Sequence, residues 1–297
     1  MKFNKYPVLL YLLLTLVFST VIWIMTVHAT DKGPIAGRLL GYGIMWAPAL
    51  ATVVSCILLK RKISDLAWKW LTVKQFLACY FIPFLYSLIV YLVIWSFGWG
   101  GFYNKTFISG IAHEMGWTGL PDFLVMVLFL ALYGVIGMFA SISTALGEEI
   151  GWRGFLLPEL SKKMSFTGVS LTTGAIWAIW HFPLIIFSDY NNGTSIWFGL
   201  ICFSVSIVSA CFIDTWYYMK FKSLWTGVIL HASHNLFIQG FFTPITAQNK
   251  LSPRYIGEFG IVLSVTSVIF AIYFWRRRGE LNCLASGQQI QLKEIIP

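Results

Sequence analysis

The feature that most constrains this chain is a series of apolar runs, which recur from one end of the 297-residue sequence to the other. A helix rises 1.5 Å per residue, so a run of about 20 apolar residues crosses about 30 Å of hydrocarbon. Within hydrocarbon, every backbone polar group must find a partner in the protein, and a helix achieves this within one segment. The runs therefore predict an all-α, polytopic membrane protein.

Composition agrees with this prediction, because 58% of the residues are hydrophobic and only 11% are charged, whereas soluble chains carry about 25% charged residues. The gaps between the runs are short and leave no stretch for a separate soluble core. We expect one membrane domain over residues 1–297. The eight predicted spans lie at about residues 8 to 27, 38 to 59, 76 to 97, 121 to 145, 168 to 187, 196 to 217, 223 to 240 and 258 to 275.

Basic residues indicate how the spans are oriented, because cytoplasmic junctions of membrane proteins are enriched in Lys and Arg. With the N-terminus in the cytoplasm, that side receives Lys2, Lys5, Lys60, Arg61, Lys62, Lys69, Lys74, Arg153, Lys162, Lys163, Lys220, Lys222, Arg276, Arg277 and Arg278. The other side keeps Lys32, Arg38, Lys105, Lys250 and Arg254. An even number of spans preserves this asymmetry at the C-terminus. We therefore expect a multi-pass protein of the cell membrane with both termini in the cytoplasm.

The formal net charge of +9 does not indicate a nucleic-acid partner, because the basic residues are confined to short junctions and form no continuous basic face. The five cysteines include no CxxC pair, so neither a zinc knuckle nor a disulfide framework is expected. The first run could also be a signal peptide, since it ends near Val27-His28-Ala29, a tolerable cleavage site. Its length favours an uncleaved span.

Ionisable residues at membrane depth are the main functional signal, because burying them is costly unless they pair or perform a function. Such residues occur at the end of the fourth span and within the fifth and seventh spans, and they are Glu148, Glu149, Arg153, His181, His231 and His234, with the neutral polar Asn235 beside the last two. Counting 1.5 Å per residue from the predicted helix ends, all three groups can meet in the cytoplasmic half of the bilayer. Their meeting predicts an intramembrane cavity open to the cytoplasm.

Helical phase separates the residues of the seventh span. His231 and Asn235 are four residues apart, so they face one direction as a pair. His234 points about 60° to the other side of His231. It could flank the same cavity or contact a neighbouring helix.

Phase also separates the two glutamates. Arg153 follows Glu149 by four residues, the favourable spacing and order for an ion pair, whereas Glu148 points elsewhere on an unbroken helix. Glu148 is then the carboxylate free to take a proton from water, and Glu149 is better suited to positioning. Glycines permit a kink that would change these phases, and they are Gly147, Gly151 and Gly154.

Each group also has a structural explanation. Glu149 and Arg153 could form an interfacial salt bridge, His181 could hydrogen-bond a neighbouring helix, and polar pairs in membrane helices often hold helices together. Three such groups on three helices, at compatible depth and with side chains suited to hydrolysis, favour a catalytic site.

The three motifs resemble those of a known family. Residues 148–153 read EExxxR, Trp177 to His181 read aromatic-xxx-His, and His231 to Asn235 read HxxxN. In this order the motifs are similar to those of the CPBP family, the CAAX prenyl endopeptidases and bacteriocin-processing proteins also called Abi proteins. The resemblance covers about residues 125–240, and Trp177 stands where the family more often has Phe.

The resemblance implies a helical membrane fold of about eight spans with a conical cavity. It also implies a catalytic set of Glu148, His181, His231 and Asn235, supported by Glu149 and Arg153. In the family's usual mechanism a glutamate activates water while His and Asn stabilise the oxyanion; an older interpretation makes the same residues metal ligands.

A metal site, if present, would use Glu148, His181 and His231, with zinc as the ion. The HExxH helix of zinc proteases is absent, since the position that would complete it after His113-Glu114 is Trp117. The sequence also lacks the GxSG and GxGD motifs of rhomboid-like and presenilin-like proteases. We therefore favour a metal-independent glutamate mechanism.

The predicted function is that of an intramembrane endopeptidase acting on peptide or membrane-protein substrates. One alternative is a bacteriocin immunity or regulatory protein of the same fold without proteolysis. Another is a proton-coupled transporter, although no inverted repeat supports it. The sequence does not specify the substrate or the oligomeric state.

Overall fold

The computed structural model describes residues 6–28, 33–188 and 190–281. Sequence predictions that involve Lys2, Lys5, Ala29, Lys32 and Cys283 concern residues outside these ranges. The other four cysteines are buried and free, as expected from a sequence without a disulfide framework.

The described chain is almost entirely helical. Its helices are α1 (Pro7–His28), α2 (Pro34–Leu58), α3 (Val73–Ser96), α4 (Lys105–Glu114), α5 (Asp122–Gly151), α6 (Phe166–Phe187), α7 (Ile196–Phe221), α8 (Trp225–His234) and α9 (Ile261–Arg276). Helix α5 continues through a π-helical segment, Trp152–Leu156, and a last turn, Leu157–Ser161. Helix α8 continues in the same way through Asn235–Phe242 and Thr243–Ile245. Short 3₁₀ turns lie at Ile63–Asp65 and Ser252–Arg254.

Six of these helices, α1, α2, α3, α5, α6 and α7, are long and apolar enough to cross a membrane. The prediction of an all-α polytopic membrane protein is therefore confirmed. The seventh and eighth predicted spans correspond to α8 with its continuation and to α9, which has 16 residues. The total of eight spans stays a prediction. Helix α4 lies in a junction that was not expected to be helical.

Polar residues in the short junctions start the helices, because their side chains satisfy backbone N–H groups that have no partner within the helix. Thr72 and Gln75 form a reciprocal capping box at the start of α3. Ser165 and Ser195 accept from backbone N–H groups at the starts of α6 and α7. These side-chain caps mark the starts of α3, α6 and α7.

The junctions meet at two opposite ends of the bundle. At one end, Arg61 pairs with Glu159 at 2.7 Å and Lys220 pairs with Glu280 at 3.1 Å. At the other end, β1 (Gly101–Phe102) pairs antiparallel with β2 (Thr246–Ala247). The junctions rich in Lys and Arg lie at the first end. This is expected when successive spans cross the membrane in alternating directions. Placement of that end, and of both termini, in the cytoplasm stays a prediction.

Close packing between α6 and α7 depends on a glycine. A Cβ atom added at Gly174 would lie 2.7 Å from the Cα atom of Val208, a separation that real side chains essentially never show. Because the obstacle is backbone, the helices themselves would have to separate. A glycine lets two helices approach closely in a membrane, where small residues are enriched at helix interfaces.

We expect Gly174→Ala to destabilise the protein by about 1 to 3 kcal/mol, the usual cost of overpacking. The matched control is Gly110→Ala in α4, where an added Cβ meets nothing within 4 Å. Thermal unfolding in detergent measures both variants. Equal melting temperatures would contradict the close α6–α7 contact.

Candidate active site

A cavity of about 340 Å³ is lined by most of the polar residues that the sequence analysis identified as candidates for function. Its wall includes Glu148, His181, His231, His234 and Asn235. These side chains come from α5, α6 and α8, three helices that are separate in sequence. The cavity also reaches the end of α1 and the start of α2, opposite the junctions rich in Lys and Arg, where Thr26 and Gly37 line it. An opening to the cytoplasm stays a prediction.

Both EExxxR and HxxxN lie where an α-helix changes to a π-helix. The first π segment begins at Trp152, three residues after Glu149, and the second begins at Asn235 itself. π-Helical turns are frequent at functional sites because an extra residue in the turn redirects side chains. The glycines of α5 permit a kink or a helix break, and the structure shows that the helix continues there through a π-helical segment.

Glu148 is held by two indole groups. One of its carboxylate oxygens, Oε2, accepts hydrogen bonds from Trp177 Nε1 at 2.6 Å and from Trp152 Nε1 at 3.1 Å. Within the described ranges, no side chain or backbone group donates to its other oxygen, Oε1. The residue is only 2% exposed. The two indoles therefore fix the carboxylate and leave Oε1 unpaired by the protein.

Glu149 is not part of the cavity wall, and its carboxylate accepts hydrogen bonds from two side chains. Its Oε1 accepts from Arg153 at 2.9 Å and from His231 Nδ1 at 3.0 Å. The predicted pairing of Arg153 with Glu149 is confirmed, and Arg153 makes no ion pair with Glu148. Since Nδ1 of His231 is engaged by Glu149, Nε2 is the ring nitrogen left for other partners.

Asp214 on α7 completes this group, and sequence analysis missed it. Its carboxylate pairs with the second terminal nitrogen of Arg153, and it also borders the cavity. Arg153 is thus shared by Glu149 and Asp214. Asp214 is the only charged residue in the predicted span 196–217, so the criterion that identified the other sites would have found it.

Gly227 lets α8 approach this ion-pair group. A Cβ atom at position 227 would lie 2.5 Å from Glu149 Oε2 and 3.0 Å from the Cγ atom of Arg153. His231 is one turn further along the same helix face. The missing side chain at Gly227 therefore brings His231 within hydrogen-bonding distance of Glu149.

His181 is oriented by its own helix. Its Nδ1 lies 2.9 Å from the carbonyl oxygen of Trp177. A carbonyl only accepts hydrogen bonds, so Nδ1 carries the proton and Nε2 is free for other partners. The ring packs against Trp180 and Phe203, with centroids 4.8 Å from each.

A second polar group surrounds Asn235. Gln239 Nε2 lies 2.5 Å from Glu258 and 3.5 Å from Asn235 Oδ1. Because Asn235 Oδ1 faces Gln239, its Nδ2 donor is the atom left for other partners. His234 both lines the cavity and contacts a neighbouring helix, since its Nδ1 lies 2.6 Å from the hydroxyl of Tyr86 in α3. Both roles that the sequence left open for His234 are therefore present.

The proposed metal ligands do not form a metal site as they are arranged. Among the residues that the structure describes, no three His, Cys, Asp or Glu side chains are placed to hold one metal ion.

Comparison with known proteins points to the same part of the chain. A family model described as type II CAAX prenyl endopeptidase, Rce1-like, matches residues 130–237. The protein named CAAX prenyl protease 2 from Methanococcus maripaludis is 30% identical over 253 residues, which cover 78% of this chain and 84% of that protein. The segment matched by the family model contains Glu148, His181, His231 and Asn235.

We expect Arg153→Met to destabilise the protein by about 3 to 5 kcal/mol, because it leaves Glu149 and Asp214 buried without their cation. The matched control is Arg61→Met, which removes a pair with Glu159 in which the arginine side chain is 35% exposed. Exposed pairs contribute about 0 to 1 kcal/mol. Chemical unfolding in detergent compares the two variants. A loss of similar size in both would show that the Arg153 group is not a buried network.

Proposed function

Because the chain belongs to the family of Rce1-like type II CAAX prenyl endopeptidases, we propose that it is a membrane-embedded endopeptidase in which Glu148 activates water. The observation that carries this proposal is the placement of Glu148, held by two indole N–H groups, on one cavity wall with His231 and Asn235. These side-chain types match the needs of peptide hydrolysis.

The first step is attack of water on the scissile peptide carbonyl. Water gives a proton to Glu148 Oε1 as its oxygen bonds to the carbonyl carbon, and the carbonyl electrons move to oxygen. The hydrogen bonds from Trp152 and Trp177 hold Oε2, so the carboxylate needs no reorientation during the step. The result is a tetrahedral intermediate with a negatively charged oxygen.

His231 and Asn235 stabilise that oxygen. Asn235 donates from Nδ2, and His231 donates from Nε2 when that nitrogen carries a proton. Glu149 fixes the His231 ring through Nδ1, so its other nitrogen has a defined direction. Collapse of the intermediate breaks the carbon–nitrogen bond, and Glu148 returns its proton to the leaving amine. His181 is a further polar group for the substrate on the same cavity wall.

The substrate is a peptide or a segment of a membrane protein. The name of the relative from Methanococcus maripaludis, CAAX prenyl protease 2, suggests prenylated peptides as a second class of substrate. The cavity wall combines the polar residues with apolar ones such as Leu40, Ile44 and Phe203. Parallel assays with one peptide in unmodified and farnesylated form distinguish the two classes.

Substitutions of the proposed catalytic residues should slow cleavage without unfolding the protein. We expect Glu148→Gln, which preserves shape, to lower kcat by about 10² to 10⁴, the contribution of a general base. Asn235→Ala should lower it by about 10² to 10³ through loss of an oxyanion donor. Cleavage of a fluorogenic peptide in detergent measures both, and Glu114→Gln, an exposed carboxylate outside the cavity, is the matched control.

A chelator added to the same assay tests the metal-independent mechanism. We expect no change in rate with ethylenediaminetetraacetate or phenanthroline. Loss of activity that returns only with zinc would overturn this mechanism while leaving proteolysis intact. Equal cleavage by wild type, Glu148→Gln and His231→Ala would refute the site itself, and no cleavage of any peptide by the wild type would favour a non-proteolytic role.

The indole of Trp177 offers a separate test of how Glu148 is held. Trp177→Phe keeps an aromatic ring but removes one N–H donor, and a hydrogen bond to a charged group contributes about 1.5 to 3 kcal/mol. We therefore expect kcat to fall by about 10- to 100-fold. The control is Trp23→Phe, because the buried indole N–H of Trp23 meets no acceptor in the described part of the chain. Unchanged kcat in Trp177→Phe would contradict this role.

A further inference from the structure

We propose that Asp214 is a positioning residue of this site, which holds Arg153 and through it orients both His231 and Glu148. This inference rests on the proposed function for its kinetic consequence. Asp214 lies on α7, a helix that contributes none of the three motifs. It is 5% exposed, so its charge is almost fully removed from solvent.

The first branch runs from Asp214 to His231. The Asp214 carboxylate pairs with one terminal nitrogen of Arg153, and the other terminal nitrogen donates to Glu149 Oε1 at 2.9 Å. The same Oε1 atom accepts from His231 Nδ1 at 3.0 Å. A planar guanidinium with its donors in a fixed fork transmits orientation between two carboxylates better than a lysine would.

The second branch runs from Asp214 to Glu148. The guanidinium carbon of Arg153 lies 4.6 Å from the centre of the Trp177 ring. Cation–π contacts of this kind favour a cation above the ring face. The Trp177 indole donates to Glu148 Oε2 at 2.6 Å. The position of the guanidinium therefore affects both the proposed base and a proposed oxyanion donor.

Loss of the Asp214 charge would release one side of Arg153. After Asp214→Asn, the terminal nitrogen on that side faces a neutral amide oxygen in place of a carboxylate, with Cys211 Sγ at 3.6 Å as a further weak partner. A neutral acceptor holds a guanidinium less strongly than a carboxylate does, and a buried acceptor without a donor lies nearby at Glu149 Oε2. Movement of the guanidinium toward Glu149 Oε2 would disturb the bond between Glu149 Oε1 and His231.

Asp214 acts through Arg153 and not on the reacting atoms. Within the described part of the chain, Asp214 forms an ion pair with Arg153, and it makes no hydrogen bond to Glu148 or His231. Its effect should therefore depend on Arg153. A double-mutant cycle measures this dependence directly.

The experiment compares Asp214→Asn, Asp214→Glu and Thr215→Val in the full-length protein in detergent. Thr215 is the buried neighbour on α7 whose hydroxyl has no partner among the described residues, so it controls for general disturbance of the helix. We expect Asp214→Asn to lower kcat by about 10- to 100-fold at nearly constant KM, because misplacement of reacting groups has this effect. Asp214→Glu should recover part of the rate, and Thr215→Val should retain it.

The cycle adds Arg153→Lys, which keeps a positive charge and so avoids the folding defect expected of Arg153→Met, but which loses the planar fork that holds Glu149 and Asp214 at the same time. If Asp214 acts through Arg153, Asp214→Asn should lower kcat by less than twofold when Arg153 is already lysine. Additive losses, a change in KM alone, or unchanged kcat in Asp214→Asn would each overturn the proposal.

A second readout does not require activity. Nuclear magnetic resonance of ring-¹⁵N-labelled histidine, assigned with a His231→Gln variant, reports the Nδ1 hydrogen bond of His231. Asp214→Asn should shift this signal and Thr215→Val should not. If the wild type cleaves no peptide but Asp214→Asn still shifts the signal, the positioning role is retained and proteolysis is rejected. An unshifted signal in Asp214→Asn would reject the positioning role whatever the activity.

Discussion

The burial of the Arg153 guanidinium organises the centre of this protein. A charge at membrane depth needs partners, and this one is 1% exposed. Two carboxylates and an aromatic face surround it, contributed by α5, α6 and α7. Helix α8 joins the group through His231. Four helices are therefore tied together at one cation, and Asp214, Trp177 and His231 belong both to this group and to the cavity wall.

Much of the fold follows from the sequence, because lipid restricts the choices of a backbone more strongly than water does. Apolar runs located the long helices, and the spacing of Glu149 and Arg153 gave their ion pair. Two features of the fold could not be predicted from the sequence, for different reasons. Helix α4 is amphipathic and lies in a junction, where no apolar run marks it. The π segments have no simple sequence signal, since they depend on tertiary packing.

The sequence predicted which polar residues lie near one another, but not the contacts that connect them. Phase and depth brought Glu148, His181, His231 and Asn235 toward one cavity, and the structure places all four on its wall. The indole bonds to Glu148 were not foreseen, because a tryptophan in a membrane helix is usually read as packing. Asp214 and Glu258 were not weighed, although each is an acidic residue in or beside an apolar run. Their partners become visible only when helices distant in sequence are packed together.

Gly227 shows how much a site can depend on a residue without functional groups. It contacts the Glu149–Arg153 pair, His231 follows four residues later, and Asn235 follows after four more. Three successive turns of one helix face thus read GxxxHxxxN. The first letter of this pattern specifies distance between helices, and the other two specify chemistry. A pattern that includes the glycine would separate chains able to build this contact from chains that carry the polar residues by chance.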